Sequence, residues 1–327
     1  MGVRPLAVVQ SSQDEKQPLE FSPTQPLEKN PVRFGIKEEA LNRLANKKIA
    51  LIGSGNMGSA MIGALLHKEE LPPEGITACD PYPAQRDLVA ARYSVPVSGD
   101  NQSAAANADI VVLSIKPQVL SKVFAELKGK IPENSLVFSI VAGAPIATIQ
   151  TGLDHQAVIR TMPNTPAQIS AGMTVWTDSA AVTEEQRQDA RVILEAMGEE
   201  LYVEHEDALN MATAVSGTGP TYVFLLAEAL VDAAVHLGFS RRDARMIVLQ
   251  TLKGSVDFAL QSDQHLAQLR NMVTSPGGTS AEAIYQLEKG GIRTILSKAV
   301  WAAYQKSRLL GRRDDRPVDA PLKLDNS

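Results

Sequence analysis

A glycine-rich segment with the spacing G-x-G-x-x-G follows a short apolar run (48–53, KIALIG) and precedes a helix-compatible stretch. This spacing lets a chain turn tightly, approach a pyrophosphate with bare backbone and pack the next helix close to the strand. The start of that helix offers free N–H groups to an anion. Ordinary loops also contain glycines, but the strand and helix on either side favour dinucleotide binding. The predicted phosphate-binding turn consists of Gly53, Ser54, Gly55, Asn56, Met57 and Gly58.

The second apolar run (76–80, ITACD) ends in an acidic residue, Asp80, at the distance of about 20 residues from the turn that is typical of a ribose-binding acid. A carboxylate there accepts hydrogen bonds from the ribose 2′-hydroxyl of NADH and repels the 2′-phosphate of NADPH. Arg86 follows on the next predicted helix and has the charge to offset this repulsion. A solvated helix residue is the more ordinary interpretation of Arg86.

Two later strand ends also carry candidate cofactor contacts, because ligands bind beyond the carboxyl ends of the strands in open α/β sheets. The small residues of segment 141–144 (VAGA) would let a nicotinamide ring lie against the backbone, although tight packing also explains them. The other strand end is segment 114–117 (SIKP). Its ordinary interpretation is a surface lysine, Lys116, beside the rigid Pro117. The contacts predicted here are Ser114, Ile115, Lys116, Pro117, Ala142 and Gly143.

Short apolar runs separated by helix-compatible stretches must position these residues. Continuous apolar strands indicate a sheet that is buried on both faces and is therefore parallel. Their alternation with helices predicts an α/β fold, a doubly wound sheet of the Rossmann type. The predicted strands are 48–53, 76–80, 109–115, 135–141, 157–161 and 173–177.

Helices replace strands after about residue 207. Ser240 is predicted to cap the second long helix. The first long helix is apolar over too wide a face for a helix exposed on one side, which predicts a helical bundle that pairs with another subunit. The predicted helices are 219–237, 240–260, 264–271, 280–288 and 292–310.

These changes in composition divide the chain into four parts. Residues 1–46 are predicted to be a disordered N-terminal extension, since Ser, Gln, Glu, Lys and Pro dominate the segment 11–30. Residues 47–206 form the predicted NAD(P)-binding Rossmann domain and 207–311 the all-α dimerisation and substrate domain. Residues 312–327 are predicted to be a loose C-terminal tail.

Composition argues against several function classes. The formal net charge is −5 and basic residues are not clustered, so no nucleic-acid partner is expected. Cys79 is the one cysteine, which fits a reducing compartment and favours a cytoplasmic location. Without 18 consecutive apolar residues, no membrane span is expected. The histidines lack metal-ligand spacing and are interpreted as surface residues, so no metal is expected; they are His67, His155, His205, His236 and His265.

Four further segments carry a family resemblance: 162–166 (MPNTP), 216–220 (SGTGP), 273–280 (VTSPGGTS) and 288–293 (EKGGIR). Together with the glycine-rich turn, their order and spacing resemble those of the pyrroline-5-carboxylate reductases over about residues 48–310. The segment 273–280 is the most specific part of the resemblance.

The resemblance implies a homodimer, assembled further into a ring of dimers, with the active site where the nucleotide domain meets helices of the dimer. It implies reduction of the small-molecule substrate L-1-pyrroline-5-carboxylate to L-proline with NADPH, with NADH possible. Asn101, Asn164 and Thr165 match cofactor-contacting positions, and Ser280 matches a hydroxyl that bonds the ring nitrogen, where many members have Thr. The implied substrate-binding residues are Gly277, Gly278, Thr279 and Ser280.

The residues of segment 273–280 support this interpretation independently. Pro276-Gly277-Gly278 is a turn that no helix tolerates. The helix that follows begins with free N–H groups that suit a small carboxylate. Thr279 and Ser280 are also ordinary helix-capping residues, and both roles are predicted together.

Three alternatives remain at this point. A β-hydroxyacid dehydrogenase is disfavoured, because those enzymes resemble one another in a catalytic lysine on the first long helix after the nucleotide domain. Here the segment 219–237 has no lysine and Lys253 falls on the following helix. A related imine reductase of a specialised pathway fits the same residues. A non-catalytic dinucleotide sensor fits less well, since a sensor needs no substrate-carboxylate site.

Overall fold

The computed structural model describes residues 43–311. The predicted tail 312–327 and residues 1–42 of the predicted extension lie outside the described residues. Residues 43–46, assigned above to the extension, form a turn whose Leu44 is fully buried. Arg43 Nε donates to Asp189 Oδ1 at 2.7 Å. The turn therefore packs as part of the folded unit.

An eight-stranded sheet forms the core of the first half, in the order β3-β2-β1-β4-β5-β6-β7-β8. Its neighbouring strands are parallel, except that β6 and β7 pair antiparallel. The strands are β1 (Ile49–Ile52), β2 (Ile76–Cys79), β3 (Val97–Ser98), β4 (Ile110–Leu113), β5 (Leu136–Ser139), β6 (Val158–Met162), β7 (Gly172–Asp178) and β8 (Gly198–Tyr202).

The predicted doubly wound sheet is confirmed, with two differences. The sequence did not predict β3 and β8. The expectation of a wholly parallel sheet is wrong at β7, because only a short 3₁₀ turn, Thr165–Ile169, joins β6 to β7. A parallel connection needs a crossover of about a dozen residues or more, so the chain returns antiparallel.

Helices cover both faces of this sheet, and its side chains alternate between two apolar clusters. Leu51 and Phe138 belong to the cluster beneath α1 and α6, whereas Ile52 and Val137 belong to the cluster with α4 and α5. Burial on both faces explains why the strands are apolar throughout. The helices of this half are α1 (Asn56–His67), α2 (Pro83–Tyr93), α3 (Asn101–Ala105), α4 (Leu120–Leu127), α5 (Ile146–Leu153) and α6 (Glu184–Met197).

The second half is all-α, as predicted. Ser240 Oγ accepts a hydrogen bond from Asp243 N at 3.1 Å, which confirms the predicted cap of α9. The last helix packs against α7 and the π-helical turn Thr213–Gly217 that follows it. The helices are α7 (Ala208–Ala212), α8 (Gly219–His236), α9 (Arg241–Leu260), α10 (Leu266–Met272), α11 (Thr279–Lys289) and α12 (Ile292–Gly311).

Large apolar side chains of this half face outward from the chain. Phe224 and Leu225 of α8 are 63% and 65% exposed, and Trp301 of α12 is 60% exposed. By length and composition alone, the continuous helical stretch Ala208–His236 is also able to cross a membrane. Exposed apolar surface of this extent marks a contact with another molecule, in keeping with the predicted pairing of subunits.

Phe138 provides a test of the two-sided core. We expect Phe138→Ala to lower the free energy of unfolding by about 3–5 kcal/mol, because it leaves a cavity at a fully buried site. Leu88→Ala, at a half-exposed position of α2, is the control and should cost less than about 1 kcal/mol. Urea unfolding followed by circular dichroism measures both, and equal losses would contradict the described packing.

Candidate dinucleotide and substrate site

The glycine-rich turn joins β1 to α1, and two of its glycines are required by the fold itself. Gly53 has φ +92°, and a Cβ there would lie 2.4 Å from Ser114 O. A Cβ on Gly58 would lie 2.4 Å from Gly53 O. Gly55 differs, because a Cβ there would meet nothing within 4 Å. The space beside Gly55 is therefore open to a ligand.

The turn also has the polarity that an anion needs. Gly55 is the N-cap of α1 and supplies no side-chain hydrogen bond, and the first turn of the helix carries no acidic residue. The positive end of the helix is thus left for a ligand to neutralise. Ser54 Oγ is buried and has no hydrogen-bond partner among the described residues. These features fit the pyrophosphate of a dinucleotide.

The carboxylate that follows β2 is tied to this turn. Asp80 is 8% exposed, and its oxygens accept hydrogen bonds from Ser54 N at 3.3 Å and Tyr82 N at 3.0 Å. Arg86 is half-buried and Nη1 donates to Asp80 O at 2.7 Å. The interpretation of Arg86 as a solvated helix residue is therefore wrong, because its side chain folds back over the end of β2.

The thiol of Cys79, the last residue of β2, is buried close to two carboxylates. Burial raises the pKa of Cys79 to about 12, with further contributions from the nearby carboxylates of Asp100 and Asp80. The Cys79 thiol is therefore protonated at physiological pH and is unsuited to nucleophilic chemistry.

The predicted contacts after β4 and β5 lie at the same edge of the sheet as the turn. Ser114 is half-buried against Gly53 and Gly58, and Ile115 packs on the apolar cluster with α4 and α5. Lys116 and Pro117 are exposed at the start of a 3₁₀ turn.

The loop after β5 contacts the second half of the chain. Gly143 has φ +72°, and a Cβ there would lie 3.0 Å from the carbonyl carbon of Leu310 at the end of α12. Ala142, beside it, is half-buried. Tight packing, the ordinary alternative for this loop, is thus present at Gly143, and its contact with the nicotinamide stays a prediction.

Both predicted asparagines make structural hydrogen bonds. Asn101, the first residue of α3, donates to Glu126 Oε2 at 2.7 Å. Asn164 Oδ1 accepts from Met173 N at 2.9 Å, and its Nδ2 lies 3.3 Å from Ser216 Oγ. Asn164 therefore fixes the loop after β6 to β7 and to the π-helical turn, while Thr165 is exposed beside it.

The segment 273–280 forms the predicted turn and helix start. Gly277 has φ +70° and Gly278 is the N-cap of α11, with no side-chain cap bond. The predicted capping role of Thr279 and Ser280 is wrong, since both lie inside the first turn, beyond the position from which a side chain reaches the free N–H groups. The first N–H groups of α11 therefore have no side-chain cap and are free for an anion, although the carboxylate of Glu282 lies in the same turn. Ser280, inside this turn, is half-buried.

Sequence reasoning missed an ion pair between β6 and the segment that leads into α7. Arg160 of β6 is 5% exposed, and Nη1 donates to Glu206 Oε1 at 2.7 Å. The same oxygen accepts from Ile146 N, at the start of α5, at 2.8 Å. A charged residue inside an apolar strand was the signal, because a buried charge requires a partner.

One histidine departs from the surface interpretation. His155 is 5% exposed, and its Nε2 lies 2.8 Å from Ser135 O. This bond anchors the loop before β6 and places the imidazole away from the glycine-rich turn. Among residues 43–311, the structure brings no three His, Cys, Asp or Glu side chains together in a metal-binding cluster.

The Rossmann sheet and its open phosphate-binding turn define a dinucleotide-binding protein, and the family matches place it among the oxidoreductases. Residues 48–143 match the family described as NADP oxidoreductase coenzyme F420-dependent, and residues 206–310 match pyrroline-5-carboxylate reductase dimerisation. The chain is 40% identical over 266 residues to the pyrroline-5-carboxylate reductase of Synechocystis, covering 81% of this chain and 99% of that protein. The chain belongs to the pyrroline-5-carboxylate reductase family.

Other relatives and solved structures agree. The Escherichia coli pyrroline-5-carboxylate reductase is 36% identical over 267 residues, which cover 81% of this chain and 99% of that protein. The structure of the Coxiella burnetii enzyme aligns with TM-score 0.76 at 35% identity, covering 81% of this chain and 99% of that one. A Plasmodium falciparum pyrroline carboxylate reductase with NADP bound aligns with TM-score 0.75 at 30% identity, covering 82% of this chain and 99% of that one.

Gly55 provides the test of the phosphate-binding turn. We expect Gly55→Asp to weaken NADPH binding more than about 100-fold, because it places a negative charge where the pyrophosphate would lie. The open space around Gly55 predicts an unchanged melting temperature. Gly55→Asn, equal in size but neutral, should weaken binding less. Quenching of protein fluorescence measures binding, and undiminished affinity in the Asp variant would contradict the assigned site.

Proposed function

We propose that this chain reduces L-1-pyrroline-5-carboxylate to L-proline with NADPH, the last step of proline biosynthesis, and that NADH is a possible second donor. The proposal rests on the presence of two helix starts without a side-chain cap in a chain that belongs to this family. The start of α1 suits a pyrophosphate, and the start of α11 suits a small carboxylate.

The substrate requires little acid–base help. NADPH supplies a hydride when it is bound. A protonated imine is already electrophilic at carbon, so the C=N π electrons move to nitrogen as the hydride is accepted, and the nitrogen keeps its proton. The residues of this chain need to orient the ring and exclude water.

The geometry at the start of α11 supports a role for each of its residues. The free N–H groups at Thr279 and Ser280 bind the substrate carboxylate. The Ser280 hydroxyl accepts a hydrogen bond from the protonated ring nitrogen and fixes the face that receives the hydride. Gly277 gives the turn its left-handed backbone, Gly278 is extended, and the two glycines keep side chains away from the carboxylate.

We propose further that the active site is completed by a second chain. Within residues 43–311, α11 packs chiefly against α12. The exposed apolar side chains of α8 and α9 require a partner surface, and the matched dimerisation family supports a second copy as that partner. The proposed assembly is a cytoplasmic homodimer, and several of these dimers form a ring.

Ser280 provides the direct test of the reaction. We expect oxidation of NADPH at 340 nm with L-1-pyrroline-5-carboxylate, and a fall in kcat/KM of about 10- to 100-fold in Ser280→Ala, the usual effect of losing one hydrogen bond to a reacting group.

Ser280→Thr retains the hydroxyl and should retain activity. Ser121→Ala, on the exposed face of α4, controls for general effects of removing a hydroxyl. If the wild-type protein binds dinucleotide but oxidises none with this substrate, proline synthesis is wrong and another cyclic imine or a sensor role takes its place.

A further inference from the structure

A π-helical turn, Thr213–Gly217, lies between α7 and α8, and one of its backbone carbonyls lacks the usual helical donor. Pro220 has no N–H group, so Ser216 O, four residues earlier, receives no hydrogen bond from it. Thr221 N, the next donor along the chain, bonds to Thr218 O instead, at 2.9 Å. The turn therefore presents an oxygen acceptor to another part of the chain.

The loop after β6 uses this acceptor. Asn164 Nδ2 lies 3.3 Å from both Ser216 O and Ser216 Oγ. Ser216 Oγ also donates to Met173 O at 3.3 Å, and Met173 N donates to Asn164 Oδ1 at 2.9 Å. These bonds form a closed ring of three residues, Asn164, Met173 and Ser216, which we call the Asn164–Ser216 bridge. It joins the loop after β6 and the start of β7 to the π-helical turn.

Packing on both sides of the bridge extends this connection. A Cβ on Gly217 would lie 2.7 Å from Met162 Cε, so the end of β6 rests directly on the backbone of the π-helical turn. The helix α1, which begins at the glycine-rich turn, packs against the 3₁₀ turn Thr165–Ile169 that follows Asn164. On the other side, α12 packs against the π-helical turn. The bridge thus lies between the nucleotide-binding elements and the helical half.

We propose that Ser216 is a positioning residue for hydride transfer, which acts through Asn164 to fix the loop after β6, and the nicotinamide beside it, relative to the helical half. The proposal rests on the proposed function, which supplies the reaction and makes Asn164 a cofactor contact. A misplacement of about 1 Å can cost a reaction about 100-fold in rate, and π-helical turns occur frequently at functional sites. Ser216 touches neither cofactor nor substrate in this arrangement.

Single-turnover kinetics of the full-length protein test the proposal, because they separate hydride transfer from binding and product release. Protein loaded with NADPH is mixed with L-1-pyrroline-5-carboxylate in a stopped-flow instrument, and the loss of NADPH fluorescence is followed. NADPH deuterated at C4 identifies the step that is hydride transfer. We expect Ser216→Ala to slow this step about 10-fold, while the dissociation constant of NADPH changes less than about twofold, because the phosphate-binding turn is untouched.

Two further variants serve as controls. Ser216→Thr retains the hydroxyl and should restore most of the rate. Thr213→Val, in the same π-helical turn, removes a hydroxyl that bonds to Leu209 O of the preceding helix and should leave the rate of hydride transfer unchanged.

A double-mutant cycle tests whether the effect passes through Asn164. If Ser216 acts through this residue, the Asn164→Ala/Ser216→Ala double variant should transfer hydride about as fast as Asn164→Ala alone. Losses that multiply, as for independent sites, would overturn the proposal. If a melting curve shows that Asn164→Ala does not fold, the comparison of Ser216→Ala with Ser216→Thr decides.

A purely structural bridge gives a different result. Ser216→Ala would then lower the melting temperature and leave the rate of hydride transfer unchanged, which would refute this proposal alone if the wild-type protein turns over. A wild-type protein that binds NADPH but transfers no hydride to this substrate would refute the proposed function and, with it, the role of Ser216.

Discussion

Only the sheet half of this chain buries its large apolar side chains within the chain. The structure of the helical half depends on this difference. The sheet half closes two apolar clusters around its strands. The helical half leaves large side chains such as Phe224 and Trp301 exposed. Since apolar burial is the main driving force of folding and association, we propose that the helical half pairs with a second copy and that the proposed substrate turn before α11 depends on that pairing.

The two proposed ligand sites share one physical feature. In each, glycines shape a turn and the helix that follows begins without a side-chain cap. A cap would satisfy the N–H groups within the chain, and its absence leaves those groups free to donate to an anion. The Arg160–Glu206 pair, whose arginine is buried and whose carboxylate also accepts from the start of α5, ties β6 and α5 to the segment that leads into the helical half.

Much of this was predictable from the sequence, because the signals were local. The glycine spacing, the apolar strands and the Ser240 cap each depend on neighbouring residues. The strand β8 was missed because its Glu199 and Glu200 lie at the sheet edge and interrupt the apolar pattern. Arg86 was misinterpreted, and the Asp80 contacts were not foreseen, because they depend on how side chains fold across separate strands.

Complementation between two impaired chains tests the two-chain site most directly. Gly55→Asp and Ser280→Ala chains are co-expressed in equal amounts, and NADPH oxidation is compared with that of each variant alone. If the turn of one chain works with Ser280 of its partner, half of the dimers carry one intact site, and about a quarter of wild-type activity returns for twofold-symmetric dimers. Activity no greater than the mean of the two variants alone would contradict the account, because it would place both residues of each site in one chain.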